Sequence, residues 1–337
     1  MLLELDSDQR LWRDTARDAL AKQCSPTLVR KVAEAPEGSD DAESASLWKS
    51  YVEQGWTELT DAGEMVELGL LLEELGRATD PTPFLATLTQ FTPLAPELAD
   101  PTLSGTAVYS GVTAARDGEG WILDGTARHV LDGDRAQRLA VVTPAGVFVV
   151  GSDQVSSRRV PIFDPVLHVA EVTFDGVRVG HAERVASDPE RAQHIALTGL
   201  ALTMVGACQR VLDLVLEHVR SRQQFGVAIG SFQAVQHKAT DMHIAVERAR
   251  ALSYFAALTI AADDPRRKLA AAMAKASAGE CQSLVFRHGV QLFGAMGFTW
   301  ENDVQFALKR AKAGELLLGG AAVHRAQVTE LSLAGRH

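Results

Sequence analysis

The chain has 337 residues, 46% of them hydrophobic and 23% charged, a length and balance that allow a large buried core divided among two or three domains. Asp and Glu total 43 against 33 Lys and Arg, a formal charge of −10, so no positive field exists to attract nucleic acid or an anionic membrane. Cys24, Cys208 and Cys281 are widely spaced and unpatterned, which excludes a disulfide framework and suits reduced thiols in a cytoplasm.

The N-terminus lacks a basic segment leading into an apolar core, so no signal peptide is expected. No apolar stretch of about 18 residues is free of charge, so no membrane span is expected. Residues 1–100 read as a helical domain. Ser7 or Asp8 caps a first helix with Leu11, Trp12, Ala16, Ala19 and Leu20 on one face. A second helical pattern covers about 64–77 and stops before Pro81 and Pro83.

Over 101–187 the period changes to short Val-, Ile- and Thr-rich runs at 106–109, 120–123, 139–143, 147–150 and 169–174, broken by Gly and Asp. That pattern predicts a small antiparallel β domain. From Asp188-Pro189-Glu190 the helical period returns through 188–337. Three long helices are expected at about 189–222, 232–262 and 266–293, with a shorter one after Glu301. Short connections make them an antiparallel bundle of about four. The fold class is α+β multidomain: helices, a β domain, then a helical bundle.

The corner between the first two bundle helices reads Arg222-Gln-Gln224-Phe225-Gly226. A fixed cation, an amide and an aromatic face are suited to an anionic, aromatic ligand. No Gly-x-Gly-x-x-Gly follows a strand, no Gly-x-Ser-x-Gly elbow is present, and the ten histidines form no metal set. His237 and His243, six apart on one helix, lie on opposite faces. Cys208, inside a packed helical run, reads as core rather than nucleophile.

This corner resembles the flavin-binding corner of acyl-CoA dehydrogenases, and the order of elements resembles that family's fold over nearly the whole chain. The run from Leu71 to Ala78 resembles the family's N-terminal helix signature, and the run from Gln291 to Glu301 its C-terminal one. The resemblance implies FAD, with Arg222, Gln224, Phe225, Gln233, Gln291, Gly294 and Gly297 as cofactor contacts. In the family the glycine-rich segment reaches a neighbouring subunit's flavin, and Ala295 narrows that approach by one methyl. The implied reaction is α,β-desaturation of an acyl-CoA, with electron-transfer flavoprotein as acceptor.

Acyl-CoA desaturation needs a carboxylate in a dry pocket to take the α-proton. The family's two positions for it match Gly319 and Ala196 here, so both expected bases are missing. A Thr-Glu-Pro…Gly-Ser-Asp segment has no counterpart, and the family's Trp-Ile-Thr reads His129-Val130-Leu131, whose Leu donates no hydrogen bond. The chain thus resembles one subunit of actinobacterial α2β2 acyl-CoA dehydrogenases acting on steroid-derived thioesters, completing the FAD site of a base-bearing partner. Alternatives are a homo-oligomer with a relocated base such as Glu301, with Glu190 less suited, and a non-catalytic scaffold. Asp241 and Arg248 read either as lining of the acyl or CoA path or as solvated helix positions.

Overall fold

The computed structural model describes residues 4–36 and 41–334, which form two compact units. One gathers the N-terminal segment as far as Ala33, Met65–Asp80 and the chain from Leu197 onward; the other gathers Glu34–Glu64 and Pro81–Ala196. The helices in chain order are α1 (Ser7–Gln23), α2 (Pro26–Ala33), α3 (Ala42–Glu53), α4 (Met65–Ala78), α5 (Phe84–Ala86) and α6 (Thr92–Leu94), the last two joined by a π turn, Thr87–Phe91. Then come α7 (Pro189–Ser221), α8 (Gln233–Ala261), α9 (Arg267–Phe293), α10 (Val304–Leu316) and α11 (Ala321–Ala334).

In the first unit, α1 opens on a capping box one residue earlier than expected. Asp6 accepts from the Gln9 amide at 2.8 Å while the Gln9 side chain accepts from the Asp6 amide. Helix α4 closes with Asp80 N–H on the Leu75 carbonyl and Thr79 at φ 61, and Pro81 prevents another turn. Helices α4 and α7 cross backbone to backbone. A β-carbon on Gly76 would lie 2.1 Å from the Thr203 carbonyl oxygen, and one on Gly206 1.8 Å from that of Glu73.

The three long helices begin and end within a residue or two of the expected positions, because Asp-Pro pairs and the corner interrupt one period cleanly. Val205, Val211 and Val215 of α7 pack with Met242 of α8, Val285 of α9 and Leu308 of α10. Helix α7 is long and apolar enough to cross a bilayer by length and composition, but 89% of that window is buried inside the protein, as in a core helix. Cys208 sits in this core: its hydrogen bond with Cys281, and then burial, push the thiol well above its usual range and leave it inert.

The second unit carries β1 (Gly105–Val108), β2 (Val112–Asp117), β3 (Gly120–Leu131), β4 (Arg138–Thr143), β5 (Gly146–Gly151), β6 (Ser156–Arg159), β7 (Val169–Val179) and β8 (Arg184–Val185). They form two four-stranded sheets, ordered β1-β4-β5-β8 and β2-β3-β7-β6. Their inner faces share one core, with Leu139 and Phe148 against Leu123, Val172 and Phe174. All ladders are antiparallel except β1 with β4, which is parallel and corrects a wholly antiparallel expectation.

Strands β2 and β6 escaped the sequence pattern because they are the exposed edges of their sheet, largely polar and without an apolar run. Strand β3 continues through Asp124-Gly125, past the expected run at 120–123. Gly125, at φ 134, absorbs a bulge there, and a β-carbon would meet the Gly111 carbonyl oxygen at 2.3 Å.

Candidate functional site

Helix α7 ends where the Ser221 hydroxyl turns back onto the Glu217 and His218 carbonyls at 3.0 and 3.2 Å. The chain then makes a minimal hairpin, β9 (Gln223–Gln224) against β10 (Val227–Ala228), turning at Phe225 and Gly226. Both turn residues have positive φ, 55 and 80, as a type I′ turn demands. Gly226 meets that demand freely, whereas Phe225 is held in a region that non-glycine residues seldom occupy. Its ring is thereby thrust outward, 92% exposed and touching Phe232 edge-on at 6.2 Å.

Arg222 is exposed, and among the described residues no hydrogen bond or ion pair engages its guanidinium. Gln224 donates only to its neighbour's carbonyl, at 2.7 Å. Gln233, exposed, opens α8. The second predicted cluster lies at the end of α9, where Gln291 is exposed and a 3₁₀ turn runs over Gly294–Phe298. Residues flanking the two clusters touch: His218, whose carbonyl accepts from the Arg222 amide, stacks on Phe293 at 4.7 Å. Partial burial, and then the nearby Arg222 charge, hold the His218 imidazole below its usual range, favouring a neutral ring in the stack.

The two glycines differ. Gly294 has φ 62 with open space around it, so its backbone is free to approach a ligand. Gly297 is buried, and a β-carbon there would meet the Val290 carbonyl oxygen at 3.0 Å, so close packing by itself favours glycine. A free cation, exposed amides, an open glycine backbone and a displayed ring form a donor set that fits a phosphate-bearing aromatic cofactor such as FAD.

Of the two expected base positions, Ala196 is fully buried in α7. Gly319 stands at φ 93 in the turn between α10 and α11. Beneath that turn lies Lys275, fully buried, whose ammonium donates to the Gly319 carbonyl at 2.7 Å and the Glu315 carbonyl at 3.1 Å. His324 Nε2 lies 2.9 Å from the Leu318 carbonyl, and Glu315 accepts from the Ala321 amide and Lys312. Backbone carbonyls and a pinned lysine thus fill the turn.

Buried carboxylates elsewhere serve partners. Glu73 accepts from Arg250 and Tyr254, each at 2.9 Å, and Glu74 accepts both arms of Arg17. Glu301 and Glu190 are exposed, not enclosed in a dry pocket. Asp241 is exposed too, while Arg248 pairs with Glu280 at 2.8 Å.

In the second unit Leu131 is buried, and His129 sits exposed at φ 58 on a bulge of β3. Sequence reasoning missed the charged cluster beside them: Asp132 pairs with Arg135, which reaches Asp41, while His168 Nδ1 lies 2.7 Å from Asp134. Burial raises the Asp132 carboxyl against the pull of Arg135. Only the Asp-Gly-Asp-Arg run was visible as a signal, and it reads equally well as a turn. Among the described residues no group of three or more His, Cys, Asp or Glu could hold a metal ion.

Residues 195–333 match the family model for the acyl-CoA dehydrogenase C-terminal domain. The chain is 31% identical over 321 residues to acyl-CoA dehydrogenase IpdE2 of Mycobacterium tuberculosis, covering 92% of this chain and 93% of that one. Among solved structures, a chain of the ChsE4-ChsE5 complex from Mycobacterium tuberculosis superposes with TM-score 0.87 at 22% identity, over 98% of each chain. A Tcur3481-Tcur3483 steroid ACAD superposes with TM-score 0.84 at 25% identity, also over 98% of each.

Proposed function

The chain belongs to the acyl-CoA dehydrogenase family, and on that premise we propose that it is the base-lacking subunit of a heteromeric, flavin-dependent acyl-CoA dehydrogenase. Its partner is a second acyl-CoA dehydrogenase-like subunit that carries the carboxylate and whose FAD this chain helps to hold, in an α2β2 assembly. The observation that carries the reading is the pair of residues at 196 and 319. One is a core alanine, and the other is a left-handed glycine whose carbonyl is tied to a buried lysine. Neither can accept a proton from carbon.

Desaturation removes the α-hydrogen as a proton and the β-hydrogen as hydride, and bound FAD supplies the hydride acceptor. This chain's share is positional. Arg222 offers a fixed positive charge and Gln291 an amide donor to the pyrophosphate, and Gly294 lets the backbone come close. Gln224 and Gln233 add amide contacts, and the Phe225 ring covers an apolar face and excludes water. A steroid-derived acyl-CoA as substrate is supported by the steroid ACAD among the structural relatives. Electron-transfer flavoprotein as acceptor rests on the family alone.

The test is coexpression with a base-bearing dehydrogenase-like chain, followed by counting flavins. About two flavins per four chains is expected, one for each base-bearing subunit, with little flavin and no acyl-CoA oxidation by this chain alone. Arg222→Ala and Gln291→Ala should strip flavin from an intact complex. A solitary chain that is yellow and turns over acyl-CoA would establish a relocated base instead. Unchanged flavin content in both variants, with altered assembly, would establish a scaffold.

A further inference from the structure

A cavity of about 380 Å³ opens within the first unit among α1, α2, α4, α7 and α10, and shares no residue with the corner or the glycine turn. Three guanidiniums line it: Arg17, Arg77 and Arg210. Two are already engaged. Arg17 grips Glu74 with both arms at 2.5 and 3.0 Å, and Arg77 is bound to Asp213. Of the cavity's other acids, Asp303 is taken by Arg30 at 2.6 Å, and Asp18 is exposed at the rim. Arg210 is left over: among the described residues no hydrogen bond or ion pair engages it.

The remaining wall is apolar, with Leu20, Val29, Leu214 and Phe306 facing the same space, and buried Cys24 beside them. We propose that this cavity is a second ligand site, taking a small organic carboxylate whose head binds Arg210 and whose short aliphatic tail lies on the apolar wall. A guanidinium fork matches a carboxylate in two parallel hydrogen bonds. The acids around the rim oppose a doubly charged phosphate, and the volume suits a small molecule. Burial, followed by the neighbouring Arg77 charge, lowers the Arg210 pKa against the weaker pull of Asp213, Glu217 and Asp303, none of which reaches ion-pair distance, so its cation gains from an arriving anion.

Isothermal titration of the full chain with hexanoate tests this, with hexan-1-ol and inorganic phosphate as tail-only and head-only probes. Methyl NMR locates the binding. Hexanoate should bind saturably in the millimolar range or tighter and shift the methyls of Leu20, Val29 and Leu214. The two partial probes and the Arg210→Gln variant should each bind at least about tenfold more weakly, the worth of a charge-assisted hydrogen bond. Arg210→Lys should recover part of the loss. Ala21→Trp, which blocks the mouth from an exposed position, should abolish binding and decides the matter should Arg210→Gln fail to fold. Absent binding at millimolar hexanoate, shifts confined to other methyls, or unchanged affinity in the variants would overturn the proposal.

Discussion

Lys275 shows how one residue's surroundings set its chemistry. Burial, opposed by the Glu315 charge, lowers its ammonium from the ordinary 10.5 to about 8. The neutral amine still has two N–H groups for its two carbonyl acceptors, so deprotonation breaks no hydrogen bond. Between about pH 8 and 10.5 the unfolded chain holds this proton more tightly than the folded one, so the residue's contribution to stability rises with pH across that window. Below it, the burial penalty is present in full. Urea denaturation of wild type and Lys275→Met should show their stability difference moving in the wild type's favour, by up to about 1.4 kcal/mol per pH unit. A difference flat with pH would mean that the ammonium is solvated. Phe225 makes the complementary point: a bulky residue at φ 55 carries strain that a purely structural turn would shed.

Among the elements, the crossing of α4 and α7 depends most on single atoms. Gly76 and Gly206 bring each backbone against the other, and around them Glu73, Arg250, Tyr254 and Gln209 form a hydrogen-bonded set. Gly206→Ala places a methyl where the Glu73 carbonyl stands, so the helices must separate and strain the pairs built on that spacing. A loss of about 2 kcal/mol or more is expected. Gly118→Ala, at φ 58 with nothing within 4 Å, should cost only about 1 kcal/mol of backbone strain. Denaturant midpoints compare the two, and equal losses would mean that the crossing relaxes without cost. The sequence marked Gly76 inside a helical signature, but its partner stands 130 positions away in the numbering, beyond any local pattern.

Over the whole molecule, buried and exposed segments divide sharply within the bundle unit. The middle of α7 is sealed, with Val205, Val211 and Val215 fully buried, while the corner and the turn after α9 carry Phe225, Phe298, Trp300 and Met296 on the surface. Large exposed rings beside unpaired polar donors are the composition of a site that a partner or ligand covers. Hydrogen exchange should therefore be slowest at 205–215 and fast at 222–231 and 294–300 in the isolated chain. Assembly with a base-bearing partner and FAD should slow exchange in both fast segments. Protection unchanged there, in a complex that forms, would place the interface elsewhere.

Helical and strand periods, Asp-Pro breaks, the residues of the corner and the identities at 196 and 319 were all readable from the chain, because each depends on neighbours a few positions away. Tertiary structure alone decided the parallel β1–β4 pair, the polar edge strands, the lysine under the Gly319 turn and the unpaired Arg210. The ion pair between Arg250 and Glu73 spans 177 positions, and no local period encodes such a meeting. Hydrophobic patterning states which face of an element is buried; which polar groups meet there follows only once the faces are packed.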